Sequence, residues 1–235
     1  MKSDSTGGTE RHPACPDRFC TGCGACFQAC PRHAVTMKPD AMGFLHPETD
    51  SGLCVKCGLC DAVCPVLSPL PPQRERSFYA ARNKDGNILK SSSSGGIFSL
   101  LAEDFLNRNG KVYGAAFANG FHSVIQRSVE TAADLELLRG SKYLQGSTEQ
   151  TFSEVKNDLE QGRPVLYSGV ACQLAGLKKY LGKLAEDPNL ICVDVLCHGA
   201  SSPAVWRAYF NHVCKTQEVE NVLFRDKVTG WEEFS

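Results

Sequence analysis

Nine of the thirteen cysteines lie between residues 15 and 64, and eight of these nine form two copies of one pattern. Cys20, Cys23, Gly24, Cys26, Cys30 and Pro31 recur 34 residues later as Cys54, Cys57, Gly58, Cys60, Cys64 and Pro65. Thiols at this density need a chemical reason. The first twenty residues carry Lys2, Asp4, Glu10, Arg11 and Asp17 and no apolar core segment, so no secretory signal is read there. A chain held in the reducing cytoplasm does not build a disulfide framework, which leaves metal or redox chemistry.

A cubane 4Fe-4S cluster takes one thiolate per iron. A tight loop offers three cysteines, each two residues from the next, and the fourth comes from elsewhere. Cys20-x-x-Cys23-x-x-Cys26 and Cys54-x-x-Cys57-x-x-Cys60 are two such triplets, each followed three residues later by Cys-Pro, as in the bacterial ferredoxin run. In that run the fourth cysteine serves the other cluster. The spacing therefore predicts one cluster on Cys20, Cys23, Cys26 and Cys64, and a second on Cys54, Cys57, Cys60 and Cys30. Gly22, Gly24 and Gly58 suit loops whose amides point at sulfide. Zinc also uses Cys-x-x-Cys pairs, but its sites need four ligands as two pairs, not two triplets with two Cys-Pro. Cys15, outside the register, reads as a free or tail thiol. Crossed ligation makes the halves interlock about a pseudo-twofold axis as a small α+β ferredoxin-like two-cluster domain, held largely by its metals.

Composition removes other classes. Lys plus Arg is 25 and Asp plus Glu 26, so a net charge of −1 provides no field to hold nucleic acid or an acidic membrane. An apolar share of 42% argues against disorder, and apolar runs of about seven residues are too short for a membrane span. Residues 1–16 read as a flexible tail and 17–67 as the cluster domain. Residues 68–76, containing Ser68-Pro69-Leu70-Pro71-Pro72-Gln73, read as a semi-rigid linker. Residues 77–235 alternate strand and helix signals, which predicts an α/β domain with a mixed, centrally parallel sheet. Strands are expected at Phe78–Arg82, closed by the turn-forming run Asn83-Lys84-Asp85-Gly86-Asn87, and at Lys111–Ala118, Phe121–Val129, Val165–Tyr167 and Leu190–Leu196. Helices are expected at Gly95–Asn109, Thr148–Gln161, Ala171–Tyr180 and Pro203–Val213, with Ser202 as N-cap of the last. Thr131 and Asp134 suit the cap of a short helix, and Asn119-Gly120 a hairpin turn.

Ser91 to Ser94 with Gly95 and Gly96 precede an apolar helix, a place for a phosphate or for a plain capped loop. Lys142 and Tyr143 suit a cation and an aromatic wall, or a surface loop. Cys172 and Cys197 each lie just past the carboxyl end of an expected strand, where open α/β sheets collect ligands. They read as part of a further cluster site, as a thiol pair, or as small buried residues, and a helix start at Cys172 would lower its pKa. Cys192 and Cys214 read as packing.

Tyr79-Ala80-Ala81-Arg82, Ser93-Ser94-Gly95-Gly96-Ile97-Phe98, Arg139-Gly140-Ser141-Lys142-Tyr143, Cys172-Gln173-Leu174-Ala175-Gly176-Leu177, Cys197-His198-Gly199 with Ser202-Pro203, and Phe224-Arg225-Asp226-Lys227 stand in a characteristic order. In this the chain, from about residue 17 on, resembles the coenzyme F-420 hydrogenase/dehydrogenase beta-subunit family, preceded by a two-cluster ferredoxin module. The resemblance implies an iron-sulfur flavoprotein oxidoreductase, with FAD near Ser93, Ser94, Gly95, Gly96, Ser141, Lys142 and Tyr143. Electrons would pass between two 4Fe-4S clusters and the flavin, with a redox partner protein, a reduced deazaflavin or ferredoxin as partner. It also favours Cys172 and Cys197 as ligands of an extra cluster. Val170-Ala171 stands where the family usually has Thr-Pro, and members extend beyond Ser235, so the α/β domain is expected to lack its C-terminal part. A competing expectation is a ferredoxin-type carrier whose second domain only docks a partner. A third is a metabolite-handling domain with clusters as sensors.

Overall fold

Gly24 and Gly58, at φ 76° and 74°, each open a four-residue helix: α1 (Ala25–Gln28) and α2 (Leu59–Ala62). Gly22 and its repeat counterpart Lys56 also share the left-handed region, at φ 68° and 52°. Glycine enters that region without a steric cost, whereas a lysine there is strained. The sequence repeat is thus a backbone repeat. Between its halves lie β1 (Val35–Pro39) and β2 (Leu45–Thr49), antiparallel, with Val35 opposite Thr49. Their turn is closed by Asp40, whose Oδ1 accepts from the amides of Met42 and Phe44, both at 2.9 Å.

The computed structural model describes residues 13–72, 76–215 and 218–225. The tail reading of residues 1–12, Gln73 in the linker, and Asp226 and Lys227 lie outside the described residues.

Beyond the linker, α3 (Gly86–Ser91) and α4 (Ile97–Asn107) precede a hairpin of β3 (Lys111–Ala118) and β4 (Ser123–Val129). Then come β5 (Gly146–Ser147), α5 (Thr151–Glu160), β6 (Val165–Val170), α6 (Ala171–Leu181), β7 (Leu190–Val195) and α7 (Pro203–Cys214). The sheet order is β5-β4-β3-β6-β7. β3, β6 and β7 run parallel, β4 is antiparallel to β3, and β5 is parallel to β4, which makes the sheet mixed. Side chains alternate across it. Val112 and Leu166 pack with Ala102 and Phe105 of α4 on one face; Tyr113, Val165 and Tyr167 pack with Phe152, Val155, Leu174 and Leu177 of α5 and α6 on the other. Ser202 caps α7 as expected, accepting from the Val205 amide at 3.2 Å.

Three local expectations fail. Phe78–Arg82 forms no strand: Phe78 and Tyr79 are 87% and 89% exposed. No β-ladder pairs this stretch; a single 2.6 Å bond follows it, from the Asn83 amide to Gly95 O. The polar run after it is not only a turn, because Asp85 accepts from the amides of Asn87 and Ile88 and so caps α3. The hairpin does not resume at Phe121: Asn119, Gly120 and Phe121 are all left-handed, and Ala118 pairs with Ser123 across a four-residue loop.

The cysteine-rich segment is bonded into this sheet domain. Ala25 lies in the same buried cluster as Tyr113 and Phe152. The N-cap residue of α5, Gln150, makes no side-chain cap. Instead Gln28 reaches across from α1, its Oε1 accepting from the amides of Phe152 (2.8 Å) and Ser153 (3.4 Å) while its Nε2 donates to Thr148 Oγ1 (3.2 Å). Gln28→Ala takes away the Phe152 amide's acceptor, while Ser153 keeps its bond to Gln150 O at 3.1 Å, and should cost about 1 kcal/mol, the worth of an N-cap. The midpoint of urea unfolding of the loaded protein, against wild type, measures it.

Candidate metal centre

Two concavities of similar size, with about 370 and 360 Å³ of open space, lie in the cysteine-rich segment. Cys54, Cys57 and Cys60 line the first, and the cysteine that joins them is Cys30. The second is lined by Cys20, Cys23 and Cys26, joined by Cys64. Each triplet is thus met by the Cys-Pro cysteine of the opposite repeat.

The residues fit a 4Fe-4S group. Among the described residues no three His, Cys, Asp or Glu side chains converge closely enough to hold a single metal ion. Four thiols spread around a concavity suit a cubane, which takes one thiolate at each of four irons. Burial, the largest effect at each, pushes the thiols of Cys23 and Cys60 up to about 11 from an ordinary 9.0 and raises Cys26 as well. The amides of Ala25, Asp61 and Phe27 pull in the opposite direction by donating to these sulfurs. Dry thiols with amides aimed at them hold negative charge comfortably only when a cation shares it.

The glycines answer to more than the metal loop. A Cβ on Gly22 would lie 2.6 Å from Leu45 O and against Gln145 Nε2, and one on Gly24 would strike Thr148 Oγ1. Nothing would crowd a Cβ on Gly58, where the left-handed backbone alone asks for glycine. The Cys20 triplet therefore sits under the sheet domain, and the Cys54 triplet does not. Thr148 Oγ1 donates to Cys23 O at 3.0 Å. Gln145 accepts from the Leu45 amide at 2.7 Å and donates to Thr21 O at 3.4 Å. On α6, a Cβ at Gly176 would come within 3.0 Å of Cys23 Sγ. By contrast Val55 and Leu59 on the Cys54 side are 61% and 45% exposed, alongside Arg32 and Lys56.

Sequence reasoning missed Cys15. It is no tail thiol: at 4% exposure it lines the Cys20 concavity beside Cys64, Cys20 and Cys23, and burial first, then Cys64, pushes its thiol up to about 12. The signal available was the 34-residue offset, which pairs Cys15 with Thr49, a lining residue of the other concavity.

In the sheet domain the Ser141 amide donates to Ser93 Oγ at 2.8 Å, so the two loops expected at a flavin do meet. Gly95 lies close under the Ala81 carbonyl, where a Cβ would come to 2.7 Å, and Gly96 (φ 71°) precedes α4. Ser94 is exposed. The Lys142 ammonium is turned inward, donating to the carbonyls of Leu137 (3.1 Å), Arg139 (2.7 Å) and Gly140 (3.3 Å), and burial lowers its pKa to about 8. Tyr143 meets Phe224 edge-on at 5.5 Å. Val170 pairs with Val195, so Cys172 and Cys197, each two residues further, open at one end of neighbouring strands. Burial raises the Cys172 pKa, with a push from nearby Cys197, and outweighs the Thr21 hydroxyl and the helix-start amides of Gln173 and Cys172, which pull it down as expected. Cys192 and Cys214 pack at the edges of two buried clusters, as expected.

Residues 19–67 match the family described as the 4Fe-4S dicluster domain. No curated protein matches the chain. Among solved structures, the F420-reducing NiFe hydrogenase complex from Methanosarcina barkeri, in a xenon derivative, is similar at 20% identity and a TM-score of 0.45, over 61% of this chain and 53% of that one. The chain thus spans about half the length of that relative. No helix among the described residues is long and apolar enough to cross a membrane. A mixed α/β chain with a ferredoxin-like 4Fe-4S domain at residues 19–67 is an iron-sulfur electron-transfer protein.

The raised thiols give the metal-free protein a pH signature. Above pH 9 the unfolded chain loses protons that folded Cys23 and Cys60 keep until about 11. Their contribution to stability is therefore whole below pH 9 and lost as pH rises through about 11. The urea midpoint of metal-free protein should fall across this window, and loading with iron and sulfide, which removes those protons, should flatten the dependence.

Proposed function

We propose that the chain carries single electrons through two 4Fe-4S clusters, an inner one on Cys20, Cys23, Cys26 and Cys64 and an outer one on Cys54, Cys57, Cys60 and Cys30. The observation that supports this most is the crossed lining of the two concavities, each holding three cysteines from one repeat and the fourth from the other. When bound, such clusters supply one-electron transfer. The protein's residues set the order of transfer. The inner cysteines lie against α6 and beneath Gln145 and Thr148, which puts them nearest the sheet domain. The outer cysteines lie behind exposed Val55 and Leu59 with Arg32 and Lys56 at the rim, a face on which a partner protein can come close. On this reading residues 17–67 are the cluster domain, 68–76 the linker, and 77–235 the domain that receives or delivers electrons, in the cytoplasm.

The finer reading is an iron-sulfur flavoprotein oxidoreductase. Its support is the family resemblance together with the Ser93–Ser141 contact, which joins two of the loops carrying the motifs. FAD would lie along Ser93, Ser94, Gly95, Gly96, Ser141 and Tyr143, and would supply hydride chemistry that converts electron pairs into single electrons. A deazaflavin or ferredoxin would be the further partner. Cys172 and Cys197 would offer two thiols to a third cluster at the strand ends. One observation favours the plain carrier: the Lys142 ammonium, expected to face the flavin, is spent on three carbonyls.

Two measurements decide. After anaerobic reconstitution, Cys64→Ser and Cys30→Ser should each lower bound iron from about eight to about four per chain and remove different paramagnetic centres. Zinc in place of iron, or Cys64→Ser with both centres intact, overturns the two-cluster reading. Acid treatment of the loaded chain should release about one FAD per chain for the flavoprotein; clusters without flavin identify the carrier.

A further inference from the structure

The concavity of the inner cluster holds one thiol more than a cubane uses. Cys15 lines it together with Cys20, Cys23, Cys26 and Cys64, and only 4% of Cys15 is exposed. Its place is held on both sides. The Ala14 amide donates to Asp61 Oδ1 at 2.6 Å, and Pro16 O accepts from the amides of Phe19 and Cys20 at 2.9 and 3.1 Å. The two concavities correspond closely under the 34-residue offset, triplet to triplet and Cys-Pro to Cys-Pro. At the position of Cys15 they differ: the outer one has Thr49.

Resting on the ligand assignment above, we propose that Cys15 is a positioning residue of the inner cluster, its neutral thiol donating a hydrogen bond to the sulfur of Cys64 and raising that cluster's reduction potential. A ligand sulfur gains electron density when its cluster is reduced, so a donor aimed at it stabilises the reduced form more than the oxidised one. The thiol has one proton to donate, and besides Pro16 O the sulfur of Cys64 lines the same concavity. Its contact with Pro16 O is long, at 3.7 Å, whereas a bond to a metal-bound thiolate is charge-assisted and stronger. Burial denies water the chance to replace it. Cys64 is also the ligand that crosses from the other repeat, so the donor acts where the two halves are joined.

The test is a redox titration of the full chain, reconstituted anaerobically and followed by electron paramagnetic resonance, with iron counted for each variant. Cys15→Ala should keep wild-type iron and both centres. At a fixed potential the reduced-to-oxidised ratio of one centre should fall roughly three- to tenfold, as for the loss of one hydrogen bond. A tenfold fall is about 59 mV for one electron. The shifted centre must be the one that Cys64→Ser removes. The other should not move, and Cys15→Ser, which retains a donor, should recover part of the shift. Unchanged potentials in Cys15→Ala with both centres present would make the thiol mere packing and end the proposal. Loss of about four irons in both Cys15 variants overturns it in another way, by making Cys15 a ligand. If Cys64→Ser leaves both centres intact, the ligand assignment itself has failed, and the proposal goes with it.

Discussion

Each concavity in the cysteine-rich segment is closed by a cysteine from the opposite repeat, and the rest of this half of the molecule follows from that exchange. Cys30 ends the turn after α1 yet faces Cys54, Cys57 and Cys60; Cys64 ends the turn after α2 yet faces Cys20, Cys23 and Cys26. Neither concavity is complete until both repeats are in place. A segment of this size buries little apolar surface of its own, so metal ligation adds to the stability that its bonds to the sheet domain supply. The paired left-handed residues, Gly24 with Gly58 and Gly22 with Lys56, let the two loops turn in the same way.

The symmetry of the repeat is broken by what lies against it. Around the Cys20 loop, Gly24 and Gly176 are small because Thr148 and Cys23 come close, and Gln28 and Gln145 bond to backbone across the junction. The β1–β2 turn is held in the same way, with Met42 O accepting from the Ser202 hydroxyl and the Ala204 amide at the start of α7. Side-chain amides suit this role, since one group donates and accepts and satisfies backbone that burial would leave unpaired. Two cysteine sites alike in sequence thereby acquire unlike surroundings, one against the sheet domain and one beside exposed Val55 and Leu59. Surroundings of that kind set the potentials of such centres.

Much of the sheet domain was legible because its signals are local. β6 and β7 are short apolar runs with helices after them, α7 begins with Ser202-Pro203, and β3 has buried residues on both faces; these need only propensity and pattern. Phe78–Arg82 misled because a strand exists only if a neighbour's edge is free to pair with it, and composition does not tell whether one is. The partners of Lys142 were not legible either, because the carbonyls that its ammonium meets after the 134–138 segment are brought to it by the fold.

The sequence by itself determined the number, spacing and chemistry of the thiols, since triplet and Cys-Pro intervals are covalent facts and iron-sulfur ligation depends on them directly. The alternation of strand and helix was equally its own, being written in short-range periodicity. Only the tertiary structure decided which loop lies under the sheet domain, that Cys15 turns in beside Cys64, and that Ser93 and Ser141 meet. These are contacts between residues far apart in the chain, and they depend on how finished elements stack, which no local pattern records.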